Sequence, residues 1–228
     1  MKRLLADIWT VAAKDLRCEM RDRQVLNAAI SFALVVLLMF SFTFDPNTNV
    51  GIRSLSGGLL WVVYLFAGVL VLNRSFARET ANDCLEALVA APISGDALFL
   101  GKTVSSCALI LAVELISLPV FGIFFDVSWL PKAGLLLPVF VLGSWSFAAV
   151  GTTFGAVTAN NRMRELMLPL LLLPVCLPAL VACMSATWGV FDPSAVTEIG
   201  PWIRLLVGFD IVYTLLGVLV MDSILSAG

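Results

Sequence analysis

Glu114, Asp210 and Asp222 are carboxylic acids set inside long apolar runs, and they are the first candidates for chemistry in this chain. A charge near the centre of a bilayer is costly, so such residues usually face a cavity or a polar partner and often mark a transport path. Glu114 and Asp210 lie deepest in their runs, whereas Asp222 is close enough to one end to reach an interface. Two roles fit the deep pair: a direct part in transport, or a protonated or hydrogen-bonded packing residue. The chain has no histidine, which removes the commonest metal ligand and the commonest general base. No Ser/Lys or paired-Asp constellation stands out either, so the chain does not read as an enzyme. Cys18, Cys84, Cys107, Cys176 and Cys183 form no CxxC pair. The last two and Cys107 sit in apolar runs and read as small hydrophobes, not as a disulfide framework.

The elements that position these groups follow from composition. Of 228 residues, 60% are hydrophobic and only 13% charged, and mean hydropathy is +1.00. A soluble domain does not hide that much apolar surface, so the fold class expected is all-α, a polytopic membrane protein. Spans of about 20 residues are expected at 25–44, 55–73, 99–125 (bent or broken near Pro119), 133–157, 166–190 and 202–225. Two domains are expected: an N-terminal amphipathic helix over 1–24 and a six-helix transmembrane domain over 25–228. In the first, Leu5, Ile8, Trp9, Ala12, Leu16 and Met20 recur at helical spacing, opposite Asp7, Thr10, Lys14, Arg17 and Arg21. Such a helix lies in the headgroup plane, or serves as a basic flank that orients the next span. No cleavable leader is expected, because mixed charge precedes the first apolar run. Eleven Lys/Arg fall on the N-terminal side of this topology against three on the other, Arg53, Lys132 and Arg204. That bias puts both termini in the cytoplasm. The net charge of −2 implies no nucleic-acid partner.

Two spans carry further signals. The fifth contains Pro169, Pro174 and Pro178 within LPLLLLPVCLP. Each proline removes a backbone donor, and the freed carbonyls need partners in lipid, so this span is expected to pack inside the protein or beside water. It is either a kinked structural helix or a helix that moves or lines a substrate path. The fourth contains Gly151-Thr-Thr-Phe-Gly155, preceded by Ser144 and Ala148; small residues four apart allow close helix contact.

Between the second and third spans lies NRSFARETANDCLEALVAAPISGDALFLGK, residues 73–102. It is too polar to span. Glu79, Asp83 and Glu86 surround a short helical piece, Leu85, Leu88 and Val89 give it an apolar ridge, and Pro92 ends it before the next span. A short cytoplasmic helix joined to two spans is suited to passing on a partner's motion; a surface loop helix has the same pattern.

Here the chain resembles the type-2 ABC exporter permeases, and more closely the CcmB family, the haem exporter permeases of cytochrome c maturation. Leu72, Asn73, Arg74, Phe76, Arg78 and Glu79, then Leu85, Glu86, Leu88, Ala91 and Pro92, match the family's L-N-R-x-F-x-R-E and L-E-x-L-x-x-A/S-P. The chain departs at Asn82, Asp83 and Cys84, where the family carries Asp, Gly and a small residue. A second match runs through Gly151, Thr152, Phe154, Arg162, Arg164, Glu165, Leu168, Pro169, Leu170, Pro174 and Pro178, and weaker ones are Phe209-Asp210 and the run from Lys14 to Arg21.

The resemblance implies a permease subunit of an ABC-type complex for cytochrome c maturation, exporting haem or driving release of the haem-loaded chaperone. It implies a multi-pass protein of the bacterial inner membrane whose segment 74–98 docks a separate ATPase through Arg78, Glu79, Asp83, Leu85, Glu86 and Pro92. Glu114, Pro169, Pro174, Pro178 and Asp210 are the candidates for a transport path. The chain has no G-x-x-x-x-G-K-[ST] phosphate loop, so ATP and Mg are expected on a CcmA-like partner. CcmC-like, CcmD-like and CcmE-like proteins, and a second copy of the chain, are the other implied partners. Haem is expected as cargo and not as a firmly bound cofactor: without histidine, the remaining ligand types, such as Met167, Met184, Tyr64 and Tyr213, sit among apolar neighbours. The alternative is a type-2 permease for a lipid, drug or glycan; a purely structural scaffold subunit is a further rival.

Overall fold

The computed structural model describes residues 2–44, 50–81, 94–158, 164–191 and 199–226. All regular structure among them is helical: α1 (Lys2–Asp22), α2 (Gln24–Phe44), α3 (Val50–Ala81), α4 (Gly95–Phe124), α5 (Ala133–Thr158), α6 (Arg164–Phe191) and α7 (Ile199–Ser226), with one 3₁₀ turn at Leu130–Lys132. Six of these helices, α2 to α7, are long and apolar enough to cross a membrane, as the apolar runs predict.

α1 breaks from α2 at a sharp corner. Arg23 takes a left-handed φ of 51°, a conformation that costs a non-glycine residue about 1–2 kcal/mol. The corner is held by Glu19, whose carboxylate accepts the Leu26 amide at 3.0 Å. A carboxylate there satisfies one of the unpaired N–H groups of α2 and complements its positive end. α1 does not present a single apolar face. Val11 and Ala12 are buried against α4, where a Cβ at Gly101 would meet the Val11 side chain, while Leu5, Trp9 and Met20 point outward. The helical period predicts one apolar stripe; the structure divides it between a protein-facing seam and an outward edge.

α3 runs on past the apolar stretch. The sequence ends that span at residue 73 because Arg74 interrupts the run, but Arg, Ala and Glu favour helix and the helix continues to Ala81. At 32 residues it is about 48 Å long, longer than a hydrocarbon core of about 30 Å. Arg78 and Glu79 therefore ride on the end of a spanning helix and not on a separate piece. α4 likewise starts earlier than residue 99: Ser94 caps it, its hydroxyl accepting the Ala97 amide at 3.4 Å.

α5 is the hub. It packs against α3, α4, α6 and α7, and its buried residues include Gly143, Ser144, Ser146, Ala148, Ala149, Gly151, Thr152 and Gly155. The small side chains let its neighbours approach closely. A Cβ on Gly143 would strike the Trp61 indole and the Cys183 sulfur, and one on Gly151 would strike Leu72. Trp61 in turn anchors an aromatic cluster with Tyr64, Phe140 and Phe147, ring centroids 5.6 to 6.0 Å apart. α4 is unbroken across Pro119 and α6 across its three prolines. Pro119 lies near the end of α4 on its exposed side, so only one backbone bond is lost there.

Candidate functional site

Polar side chains gather in the middle of the bundle, where the seams around α5 meet. α3 contributes Trp61 and Tyr64, α4 contributes Glu114 and Ser117, α5 contributes Ser144 and Ser146, α6 contributes Thr187, and α7 contributes Asp210 and Thr214. A helix that is apolar all round must bury its few polar atoms against a partner, and most of these have one. Trp61 Nε1 donates to Thr187 Oγ1 at 2.7 Å. Tyr64 Oη donates to the Glu114 carbonyl at 3.3 Å and lies 3.2 Å from Ser117 Oγ. Ser117 Oγ donates back one turn to the Val113 carbonyl at 2.7 Å.

The two deep carboxyls differ. Asp210 is nearly buried; its Oδ1 accepts from Ser146 Oγ at 2.5 Å, and its Oδ2 has no hydrogen-bond partner among the described residues. One turn on, Trp145 Nε1 donates to Thr214 Oγ1 at 3.0 Å, so two polar bonds stitch α5 to α7. Glu114 is 0% exposed, and neither of its carboxyl oxygens has a hydrogen-bond partner among the described residues. Ser144 Oγ faces it without reaching hydrogen-bond geometry, and is itself unpartnered. Side chains two apart on a helix point about 200° apart, so Glu114 and Asp210 approach α5 from different sides. Cys107 and Cys183 lie within electrostatic reach of both carboxyls. Asp222, by contrast, is exposed near the end of α7.

The prolines of α6 stand apart from this cluster. Leu168, Leu172, Cys176, Ala179, Cys183 and Ala186 form its buried stripe. Pro174 and Pro178 are exposed on the other side and Pro169 is half-buried. The expectation that this segment packs inside the protein therefore holds for the stripe but not for Pro174 and Pro178: rings that cannot continue the backbone bonding are turned outward, where their bulk displaces no neighbour.

The coupling candidates are split. Arg78 and Glu79 lie in the last turns of α3; Asp83, Leu85, Glu86 and Pro92 lie outside the described residues. Next to this end, Lys102 is buried in α4, its Nζ 3.6 Å from Asp15 Oδ2 of α1, while Lys14 lies 3.1 Å from Oδ1 of the same carboxylate. This ion pair ties α1 to the N-terminal end of α4. In the sequence Lys102 adds to the charge bias and to the L-G-K pattern of the resemblance; its pairing with Asp15 comes from the packing of α1 on α4. At the other end Lys132 Nζ donates to the Phe191 carbonyl at 2.9 Å, closing the last turn of α6. Ser146 and Ser144, which face the two acids, carry no sequence signal beyond small size.

"Heme exporter protein B" of Rhodobacter capsulatus is 28% identical over 170 residues, covering 74% of this chain and 77% of that protein. The protein of the same name from Paracoccus denitrificans is 28% identical over 168 residues, covering 74% and 76%, and that from Pseudomonas aeruginosa is 29% identical over 162 residues, covering 71% of each. The sequence profile of the CcmB protein family matches residues 6–226, from the first helix to the end of the last. By that match, which takes in the α1–α4 ion pair, the α5 hub and both deep carboxyls, the chain belongs to the CcmB protein family.

Proposed function

We propose that this chain is the membrane-embedded permease subunit of an ABC-type complex in cytochrome c maturation, exporting haem or coupling ATP hydrolysis to release of a haem-loaded chaperone. The observation that carries this is the family match over residues 6–226, together with relatives named heme exporter protein B. The six spanning helices supply a permease scaffold, and ATP and Mg belong on a CcmA-like ATPase, since the sequence carries no G-x-x-x-x-G-K-[ST] phosphate loop. That ATPase docks on segment 74–98, where Arg78 and Glu79 extend from α3 and Asp83, Leu85, Glu86 and Pro92 follow. α1, within domain 1–24, rests its Leu5, Trp9 and Met20 edge among the headgroups of the inner membrane, with both termini in the cytoplasm. Haem is cargo; its axial ligands come from CcmC-like and CcmE-like partners, with a CcmD-like small subunit completing the assembly. Glu114 and Asp210 line or gate the path, and the α6 prolines flank it.

The test is a deletion strain complemented by the wild-type chain, scored by haem staining of c-type cytochromes. Loss on deletion and recovery on complementation support the reading. Intact c-type cytochromes with a lipid, drug or glycan export defect would replace it with the alternative cargo.

A further inference from the structure

We propose that Glu114 and Ser144 form an internal proton-binding site, in which Glu114 is held as a neutral carboxylic acid and shares its proton with the Ser144 hydroxyl, directly or through one buried water. Glu114 is fully buried, and both its oxygens and Ser144 Oγ are unpartnered among the described residues, within one seam between α4 and α5. An ionised carboxylate is not tolerated in such a place without a donor or a cation. Among the described side chains no cation faces it. From α3 the facing group is the Tyr64 phenol, whose proton is already given to the Glu114 carbonyl. α4 itself adds the Cys107 thiol, α6 the Cys183 thiol, and α7 the acid Asp210. α5 offers Ser144, and α2 has no ionisable side chain along its whole length. Lys102 is twelve residues away and paired with Asp15, Lys132 is bonded to the Phe191 carbonyl, and Arg204 is exposed on the first turns of α7.

A neutral acid resolves this. It supplies one O–H donor and retains an acceptor, and a serine hydroxyl facing it supplies the complement of both. A water bridging them finds polar partners in the Glu114 carboxyl and the Ser144 hydroxyl, and a buried water needs two to four such partners. Glu114 lies ten residues from the Phe124 end of α4, about 15 Å along the axis, at a depth where bulk water does not compete. The proton therefore exchanges with solvent only when α4 and α5 part.

The site does not depend on the identity of the cargo, and its readout is separate from haem export. The full-length chain is reconstituted in phosphatidylcholine/phosphatidylglycerol nanodiscs and its infrared spectrum recorded in H₂O and after transfer to D₂O. A carboxylic-acid C=O band that exchanges slowly, vanishes in Glu114→Gln and changes frequency in Ser144→Ala is the expected result. The glutamine keeps the shape and hydrogen-bonding capacity of the neutral acid, so this variant should insert and melt like the wild type. If it does not insert, the Ser144→Ala shift decides alone. Absence of the acid band, its persistence in Glu114→Gln, loss of an ionised carboxylate band in that variant instead, or a frequency indifferent to Ser144→Ala would each overturn the assignment.

Discussion

At the scale of single residues, Gly143 and Lys102 hold closely packed positions. Gly143 is where the α5 backbone meets the Trp61 indole and the Cys183 sulfur. Gly143→Leu forces this seam apart and should destabilise the bundle by about 1–3 kcal/mol or more, the usual cost of overpacking, visible as a lower melting temperature in detergent. Gly134, with open space around the position of its Cβ, is the control: Gly134→Leu should melt like the wild type. Lys102 is the second case. Removing Lys102 takes one of two cations from Asp15, which keeps Lys14 beside it, so the cost should fall below the about 3–5 kcal/mol of a buried charge left wholly uncompensated. Lys102→Met should therefore loosen α1, seen as faster proteolysis at Arg17 and Arg21, both exposed. Adding Asp15→Asn should recover part of the loss, and a double-mutant cycle with no coupling would reject the pair as the clasp.

At the scale of elements, the prolines of α6 and the overhang of α3 raise different questions. Pro174 and Pro178 are exposed and α6 is continuous through both. Replacing them with alanine restores two backbone donors and opens no cavity. The Pro174→Ala/Pro178→Ala protein should be at least as stable as the wild type and should still support cytochrome c maturation. Normal stability with lost maturation would instead assign α6 a movement that depends on its weakened bonding. The overhang of α3 puts Glu79 on the same helix that carries Trp61 and Tyr64 into the bundle. Charge reversal in Glu79→Lys/Glu86→Lys should abolish stimulation of the partner ATPase while leaving the protein inserted and folded. Unchanged stimulation and unchanged maturation would remove segment 74–98 from the coupling role.

At the scale of the whole molecule, orientation and surroundings matter most. Only 17% of the apolar window of α7 and 28% of that of α2 are buried, so these two helices give most of their surface to lipid or to partner subunits. The charge bias predicts that segments 45–49 and 192–198 face the outer side. Single cysteines there, in a background lacking the native cysteines, should react with an impermeant maleimide in whole cells, whereas a cysteine at position 162 should react only after lysis. Labelling of position 162 in intact cells would invert the topology and with it the docking side.

How much of this was legible in the sequence follows from what lipid demands. Six spans could be read directly because a crossing helix must be apolar on every face for about 20 residues, and long unbroken runs such as 24–44 and 166–191 have no soluble explanation. The acids Glu114 and Asp210 were visible for the same reason, as exceptions within those runs. Their partners were not. In a water-soluble helix the polar face marks the outside, but here the lipid-facing side is as apolar as the buried one, so periodicity in α4, α5 and α6 does not say which side faces in. That Ser146 meets Asp210, that Ser144 faces Glu114, that Lys102 clasps Asp15 across more than 80 residues of chain, and that Pro174 and Pro178 turn outward were decided by the helix packing alone. The extension of α3 beyond Arg74 escaped for a related reason: hydrophobicity ends where the membrane ends, whereas a helix, once nucleated, continues as long as its residues favour the backbone bond.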